Sequence, residues 1–196
     1  MTETSVSARL TRYDDAVAQF RIEDAIAKLH GNPETGINAC IECCDRHIGH
    51  DRVALRAIAA DGKLSEFTFE NLRDMAARVG NVLKDAGVNA GDVVAGLLPR
   101  APELIATILG AWRIGAIYQP LFTAFGPKAI EHRLKTSGAK LVVTNTANRS
   151  KLTEVENCPK VAIVLASGDD LPVDDIDFCA ATASASVDCT PVLRKG

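Results

Sequence analysis

Residues 92–98 (Asp-Val-Val-Ala-Gly-Leu-Leu) form a near-continuous apolar run closed by Pro99. A strand with one wet face alternates apolar and polar side chains, so an unbroken run reads as a strand buried on both faces, under helices on either side of a parallel sheet. The flanking sequence carries matching signals. Upstream, Phe69, Leu72, Met75, Ala76, Val79 and Leu83 recur at helical spacing and Gly87 supplies a stop. Downstream, Pro102 stands where a first helical residue belongs, and Leu104, Ile105, Ile108, Leu109 and Trp112 predict the next buried face. A short strand over 116–118 follows, then a helix over 127–137 ended by Gly138. Two more apolar strands, 141–144 and 161–165, bracket a polar helix near 150–156. Strands alternating with helices of this length require right-handed crossovers. The expected fold class is α/β, a doubly wound, mostly parallel sheet flanked by helices.

Outside that rhythm the pattern differs. Tyr13, Val17, Phe20, Ile22, Ile26 and Leu29 predict one or two short helices lying on another surface, and residues 31–36 (Gly-Asn-Pro-Glu-Thr-Gly) break them. Ile37, Cys40, Ile41, Cys44 and Ile48 trace a narrow apolar helical stripe. Residues 53–59 and 64–68 read as two strands joined through Asp61-Gly62, a hairpin-turn dipeptide. Residues 168–196, acidic and rich in small side chains, read as a surface excursion leaving the sheet. The expected organisation is a helical segment over 1–35, an α/β core subdomain over 36–167, and an excursion over 168–196 leading towards a second subdomain.

Composition narrows the function classes. With 22 Lys+Arg against 25 Asp+Glu the net charge is −3, which offers no basic face for nucleic acid. At 47% hydrophobic and 24% charged, the 196 residues suit a globular domain, and a chain this long buries about 70% of its unfolded surface. No run of about 18 apolar residues suggests a membrane span, and the polar stretch 1–12 lacks a signal-like apolar core. Six cysteines without such a signal read as reduced thiols of a cytoplasmic protein.

Several fragments suggest chemistry. Residues 40–50 hold Cys40, Cys43, His47 and His50, a CxxC and HxxH set with zinc-ligand chemistry. On one helix Cys40 and His50 would lie ~15 Å apart along the axis, too far to share an ion. Core thiols are the expected role of Cys40 and Cys44, and no metal site is expected. Asp169, Asp170, Asp174, Asp175 and Asp177 lack the donor spacing of a calcium loop and read as a solvated loop. Gly110 and Gly115 have the outer spacing of a phosphate loop, but Ala116-Ile117 replaces its Lys-Ser/Thr; close helix packing is the expected use. His30 and His132 read as surface or helix-end positions, and no catalytic group assembles locally.

A longer pattern is more specific. Phe67-Thr68-Phe69-Glu70-Asn71-Leu72 is followed by Ala86-Gly87-Val88-Asn89-Ala90-Gly91-Asp92 running into the 93–99 strand, then Pro102-Glu103-Leu104. Leu109-Gly110-Ala111-Trp112-Arg113-Ile114-Gly115-Ala116-Ile117-Tyr118-Gln119-Pro120-Leu121-Phe122 comes next, and then Ala124-Phe125-Gly126-Pro127-Lys128-Ala129-Ile130. In this order the elements resemble the N-terminal portion of the adenylate-forming enzymes, the AMP-forming acetyl- and acyl-coenzyme A synthetases in particular. The resemblance covers most of 36–165 and includes 38–47, similar to the family's Asp-Arg-His segment.

The resemblance implies a two-step ligase. A carboxylate attacks the α-phosphorus of ATP to give an acyl adenylate and pyrophosphate; the coenzyme A thiol then displaces AMP. The family meets the developing phosphoryl charge with magnesium, a Ser/Thr/Gly-rich loop ending in Pro-Lys-Gly, and a lysine of a mobile C-terminal domain. None of these motifs lies within 1–196. The chain is therefore expected to be an N-terminal piece of such an enzyme, inactive alone, with no catalytic residue of its own. No tightly bound ATP, AMP, magnesium or coenzyme A is expected on it.

By the same resemblance Phe122, Thr123 and Ala124 match a Phe-Gly-Gly turn near coenzyme A, and Arg149 matches an arginine near its phosphate; packing of Phe122 in the core and solvation of Arg149 are the alternatives. Thr123 and Ala124 replace glycines that would let the backbone come closer to a ligand. Self-association through an exposed apolar face is expected where the second subdomain would sit. Two other readings remain open, a stand-alone flavodoxin-like module taking a nucleotide or coenzyme A, and a truncated paralogue acting as an interaction domain.

Overall fold

The computed structural model describes residues 12–166 and 169–195. Most of stretch 1–12, read in sequence as polar and signal-free, lies outside them.

The five-stranded sheet is parallel throughout. Its strands are β3 (Val93–Leu97), β4 (Ile117–Pro120), β5 (Leu141–Asn145), β6 (Lys160–Val164) and β7 (Ile176–Asp177), in spatial order β4-β3-β5-β6-β7. Before them, β1 (Val53–Ile58) and β2 (Leu64–Thr68) pair as an antiparallel hairpin whose turn uses Gly62 at φ 84°. The apolar run of 93–97 is β3, central in the sheet, and Val94, Ala95 and Leu97 are fully buried. Leu141, Val142 and Val143 of β5 are equally dry, each worth roughly 1.5–3 kcal/mol of burial.

Helices cover both faces, as the doubly wound reading requires. On one lie α4 (Phe69–Asp85) and α5 (Pro102–Arg113), packed with Val94, Leu141, Val143 and Ala162. On the other lies α6 (Pro127–Ser137), whose Ile130 and Leu134 meet Ala95, Leu97, Val142 and Val161. Thr68 caps α4 reciprocally: its Oγ1 accepts from Asn71 N while Asn71 Oδ1 accepts from Thr68 N. The α4–α5 contact is close because Gly110 faces Val79; a Cβ there would sit 2.6 Å from Val79 Cγ1.

Four local expectations differ from the structure. Helices α1 (Tyr13–Gln19) and α2 (Ile22–Ile26) exist, but neither buries a residue, and Tyr13 is 81% exposed. The stripe over 37–48 is broken: α3 (Ala39–Cys43) ends at Cys44, whose φ −131° and ψ −69° are non-helical, and a 3-10 turn Asp45–His47 follows. In α5 the buried residues are Ala106, Thr107, Leu109, Gly110, Ala111 and Arg113, while the larger Ile105 and Trp112 are only partly buried, against the cluster of Cys40, Cys44 and Leu72. The polar helix near 150–156 is shorter and earlier, α7 (Thr146–Arg149) plus a 3-10 turn Ser150–Leu152, with Leu152 and Val155 in the core.

The largest correction concerns 168–196. Its described part does not leave the sheet. β7 joins the parallel edge, and Asp177 accepts from Ala180 N to start α8 (Phe178–Ser184). The small residues of α8 let it lie close to α4 with Phe178 buried. The 186–194 segment then crosses α4 and α5. Asn81 Nδ2 donates to Ser186 O and Asp188 O, Arg113 Nε donates to Cys189 O, and Val192 N donates to Arg113 O. Ile37 and Arg194 exchange backbone bonds at its end.

Candidate functional site at the carboxyl ends of the strands

Counted from β3 as the first strand, the order is 2-1-3-4-5. The chain leaves β3 towards one side, returns as β4, then passes to β5 on the other side, so the connections after β3 and β5 part in opposite directions beyond two strand ends that stay paired, the position of the crevice in a doubly wound sheet. Doubly wound sheets take their ligands at such a reversal point. Thr144 Oγ1 donates to Leu97 O at 3.0 Å and fixes these ends against each other.

Two loops rim the crevice. After β5, the Asn145 side chain caps α7, accepting from Asn148 N at 3.2 Å and Asn148 Nδ2 at 2.7 Å. Asn148 Oδ1 in turn accepts from Lys151 Nζ at 3.0 Å, and Lys151 Nζ also donates to Thr123 O. That pair of bonds ties the turn after β4 to the helix after β5. Within this turn Phe122 is 64% exposed and meets Phe125 edge-on at 5.8 Å, while the Arg133 guanidinium lies 4.0 Å over the Phe125 ring. Phe122 is thus neither core nor fully free, an aromatic face presented to solvent on a supported turn. Ala124 is exposed beside it, and the Thr123 carbonyl is occupied by Lys151.

Arg149 is not solvated. Its Nε and Nη2 donate to Asp175 Oδ2 at 2.5 Å and Oδ1 at 3.0 Å, a bidentate pair whose carboxylate is almost wholly buried. These hydrogen bonds push the guanidinium pKa further up, with burial working against them. Asp175, read in sequence as part of a solvated acidic loop, is instead the counter-charge. The structure brings Phe122, Thr123 and Ala124 together and links their turn to α7, but it directs the Arg149 charge to Asp175. Lys151, Asn148 and Asn145 were missed in the sequence. The Asn145-x-x-Asn148 capping spacing was legible there; the reach of Lys151 to Thr123 was not.

Of the cysteine and histidine set, Cys40 and Cys44 lie in the core, while Cys43 and His50 are exposed. Cys40 and Cys44 are buried, and desolvation pushes both thiols up to about 12. Cys44 Sγ donates to Phe69 O, and Cys40 Sγ lies 3.7 Å from Arg113 Nη1. Cys43 is exposed, and His47 Nε2 lies 3.1 Å from Glu42 O. Among the described residues no three His, Cys, Asp or Glu side chains converge as a metal site. No helix there is long and apolar enough to cross a membrane.

Strand order, covered faces and the carboxyl-end crevice define a doubly wound α/β domain of the class that takes nucleotides at a reversal point. The model of the AMP-binding enzymes matches residues 45–192, and the chain belongs to that family. The acetyl-coenzyme A synthetase of Syntrophobacter fumaroxidans is 32% identical over 174 residues, 79% of this chain and 27% of that protein. Its Bacillus subtilis counterpart is 39% identical over 140 residues, covering 69% of this chain and 24% of the relative. A solved acyl-CoA synthetase from Brucella canis superposes with a TM-score of 0.93 at 76% identity, over 95% of this chain and 34% of that one. The chain therefore spans about a quarter to a third of the length of the proteins it matches.

Proposed function

We propose that this chain forms the N-terminal α/β subdomain of a cytoplasmic, AMP-forming acyl-coenzyme A synthetase that acts on acetate or a similar carboxylate. The reaction proposed is the activation of the acid by ATP to acyl adenylate and pyrophosphate, followed by transfer to coenzyme A. The observation that carries this reading is the 45–192 family match over a sheet whose carboxyl-end crevice bears the supported Phe122 turn.

In this reading the turn Phe122, Thr123 and Ala124 borders coenzyme A, with the exposed Phe122 ring as a stacking face. Arg149 stands beside it as a positioning residue: bound to Asp175, it holds the crevice-side helix α7 against β7 and reaches a phosphate only by giving up that pair. Magnesium would arrive with the nucleotide and is assigned no residue here. Residues 1–35 are a leading helical segment, and the subdomain body runs from 36 through β7, α8 and the 186–194 segment that crosses α4 and α5. Ile117 and Phe122, exposed on the edge strand β4 and the turn after it, favour self-association of the isolated chain. Six free thiols fit a reducing compartment.

The test compares this chain with a protein that carries it within the full length of its relatives. Pyrophosphate release should depend on added acetate or a longer acid, and AMP release on coenzyme A, in the longer protein only. Turnover by the 196-residue chain would overturn the subdomain reading. Absence of carboxylate-dependent pyrophosphate release from the longer protein would overturn the synthetase reading. Tight binding of AMP or coenzyme A by the short chain would favour the stand-alone module.

A further inference from the structure

Cys189 is buried at 4% exposure in the segment that crosses α4, and its Sγ lies 3.5 Å from Lys84 Nζ on that helix. Its surroundings hold it there: Arg113 Nε donates to the Cys189 carbonyl at 2.6 Å, and the sulfur packs against Gly80, where a Cβ would lie 3.0 Å away. Lys84 is an exposed residue of α4 whose long side chain folds back to bring Nζ onto the buried sulfur. Neither group serves the crevice, which lies at the other boundary of the sheet's strands.

We propose that Lys84 and Cys189 are the two ends of an oxidation-dependent covalent bridge, Nζ–O–Sγ, formed with hydrogen peroxide and tying α4 to the 186–194 segment. The balance is Cys-SH + Lys-NH2 + 2 H2O2 → Cys-S-O-NH-Lys + 3 H2O. One peroxide oxidises the thiol: S–O forms, O–O breaks, and water leaves a sulfenic acid. The second peroxide converts the deprotonated Nζ to a hydroxylamine with loss of another water. The hydroxylamine oxygen then attacks the sulfenic sulfur and expels its hydroxyl as the third water. Four electrons pass from sulfur and nitrogen to the two peroxides. Closing the gap from 3.5 Å needs a shift of about 1 Å, within the reach of an exposed lysine tip. The bridge adds a covalent link where Asn81 and Arg113 already hold the same segment through hydrogen bonds.

The chain is treated with hydrogen peroxide, unfolded, alkylated with iodoacetamide and digested with trypsin. Expected are one species heavier by about 14 Da, one oxygen gained and two hydrogens lost, a missed cleavage at Lys84, and a joined peptide holding Lys84 and Cys189. Dithiothreitol should reverse all three. Lys84→Arg, a surface change that leaves the core intact, and Cys189→Ser should each abolish the joined peptide. The oxidised wild-type chain should melt at higher temperature than oxidised Lys84→Arg. Full alkylation of Cys189 after peroxide, or identical conversion of Cys189 to sulfinic acid in wild type and Lys84→Arg, would overturn the proposal.

Discussion

Replacing Arg113 by alanine should cost this fold about 3–5 kcal/mol, the range for removing one partner of a buried ion pair. The side chain is 8% exposed at the end of α5. Its Nη1 donates to Asp45 Oδ2 at 2.8 Å and its Nε to Cys189 O at 2.6 Å. Alanine would leave the Asp45 carboxylate, itself only 18% exposed, without a counter-charge and the Cys189 carbonyl without a donor. Each such loss is worth about 1–3 kcal/mol, more where charge is involved. Against a domain stability of roughly 5–15 kcal/mol and a urea slope near 2 kcal/mol/M, the midpoint should fall by about 2 M. Urea unfolding followed by far-ultraviolet circular dichroism reads this directly. Arg56→Ala is the control: its pair with Glu66 is 66% and 45% exposed, so its loss should cost at most about 1 kcal/mol. Arg113→Lys keeps the charge but not the fork, and should fall between the two. A double-mutant cycle with Asp45→Ala should return a coupling above about 1.5 kcal/mol. If Arg113→Ala unfolds within 1 kcal/mol of wild type, or costs no more than Arg56→Ala, the buried-pair reasoning is wrong.

Gly96 on β3 lies under the Tyr118 ring, and a Cβ there would stand 2.2 Å from Tyr118 Oη, so Gly96→Ala should destabilise by about 1–3 kcal/mol in the same urea assay. Tyr118 Oη finds no hydrogen-bond partner among the described residues, and burial pushes its pKa up to about 12; Tyr118→Phe should therefore be neutral or stabilising by about 1 kcal/mol and should partly rescue Gly96→Ala. A clear loss on Tyr118→Phe would mean that the hydroxyl has a partner. Timed alkylation of the native chain at pH 8 should modify the exposed Cys43 and Cys179 well before Cys40 and Cys44, whose thiolate fraction at a pKa of about 12 is on the order of one in ten thousand. Native pKa values raised from 9.0 also mean that the unfolded chain loses these protons first. Stability is thus intact below pH 9 and should fall by up to about 1.4 kcal/mol per pH unit for each thiol between 9 and 12. A stability flat across that range would contradict the burial of both sulfurs.

The local alphabet of this domain was legible residue by residue. The 93–97 run, the Pro102 and Pro127 helix starts, Gly87 and Gly138 at helix ends, and Asp61-Gly62 each act within a few residues of themselves, so spacing alone places β3, α4, α5, α6 and the hairpin. What failed were inferences that depend on what lies across space. Nothing near Asp175 in sequence marks it as the partner of Arg149, 26 residues away, and the low hydrophobicity of 168–196 hid β7, because a two-residue edge strand needs few large side chains. The stripe of 37–48 was apolar enough for a helix, yet the Asp45 pair with Arg113 bends it at Cys44.

By itself, then, the order of apolar and polar residues determined an α/β sheet wrapped by helices on both faces, because periodicity 2 and periodicity 3.6 are properties of the chain alone. The tertiary structure alone decided where charge ends up. Lys151 on the Thr123 carbonyl, Arg149 on Asp175, Arg113 beneath Cys189 and Lys84 against its sulfur all join positions 26 to 105 residues apart. Such pairs form only after the strands have stacked, since the loss of water that makes a buried charge choose its partner does not exist in the unfolded chain.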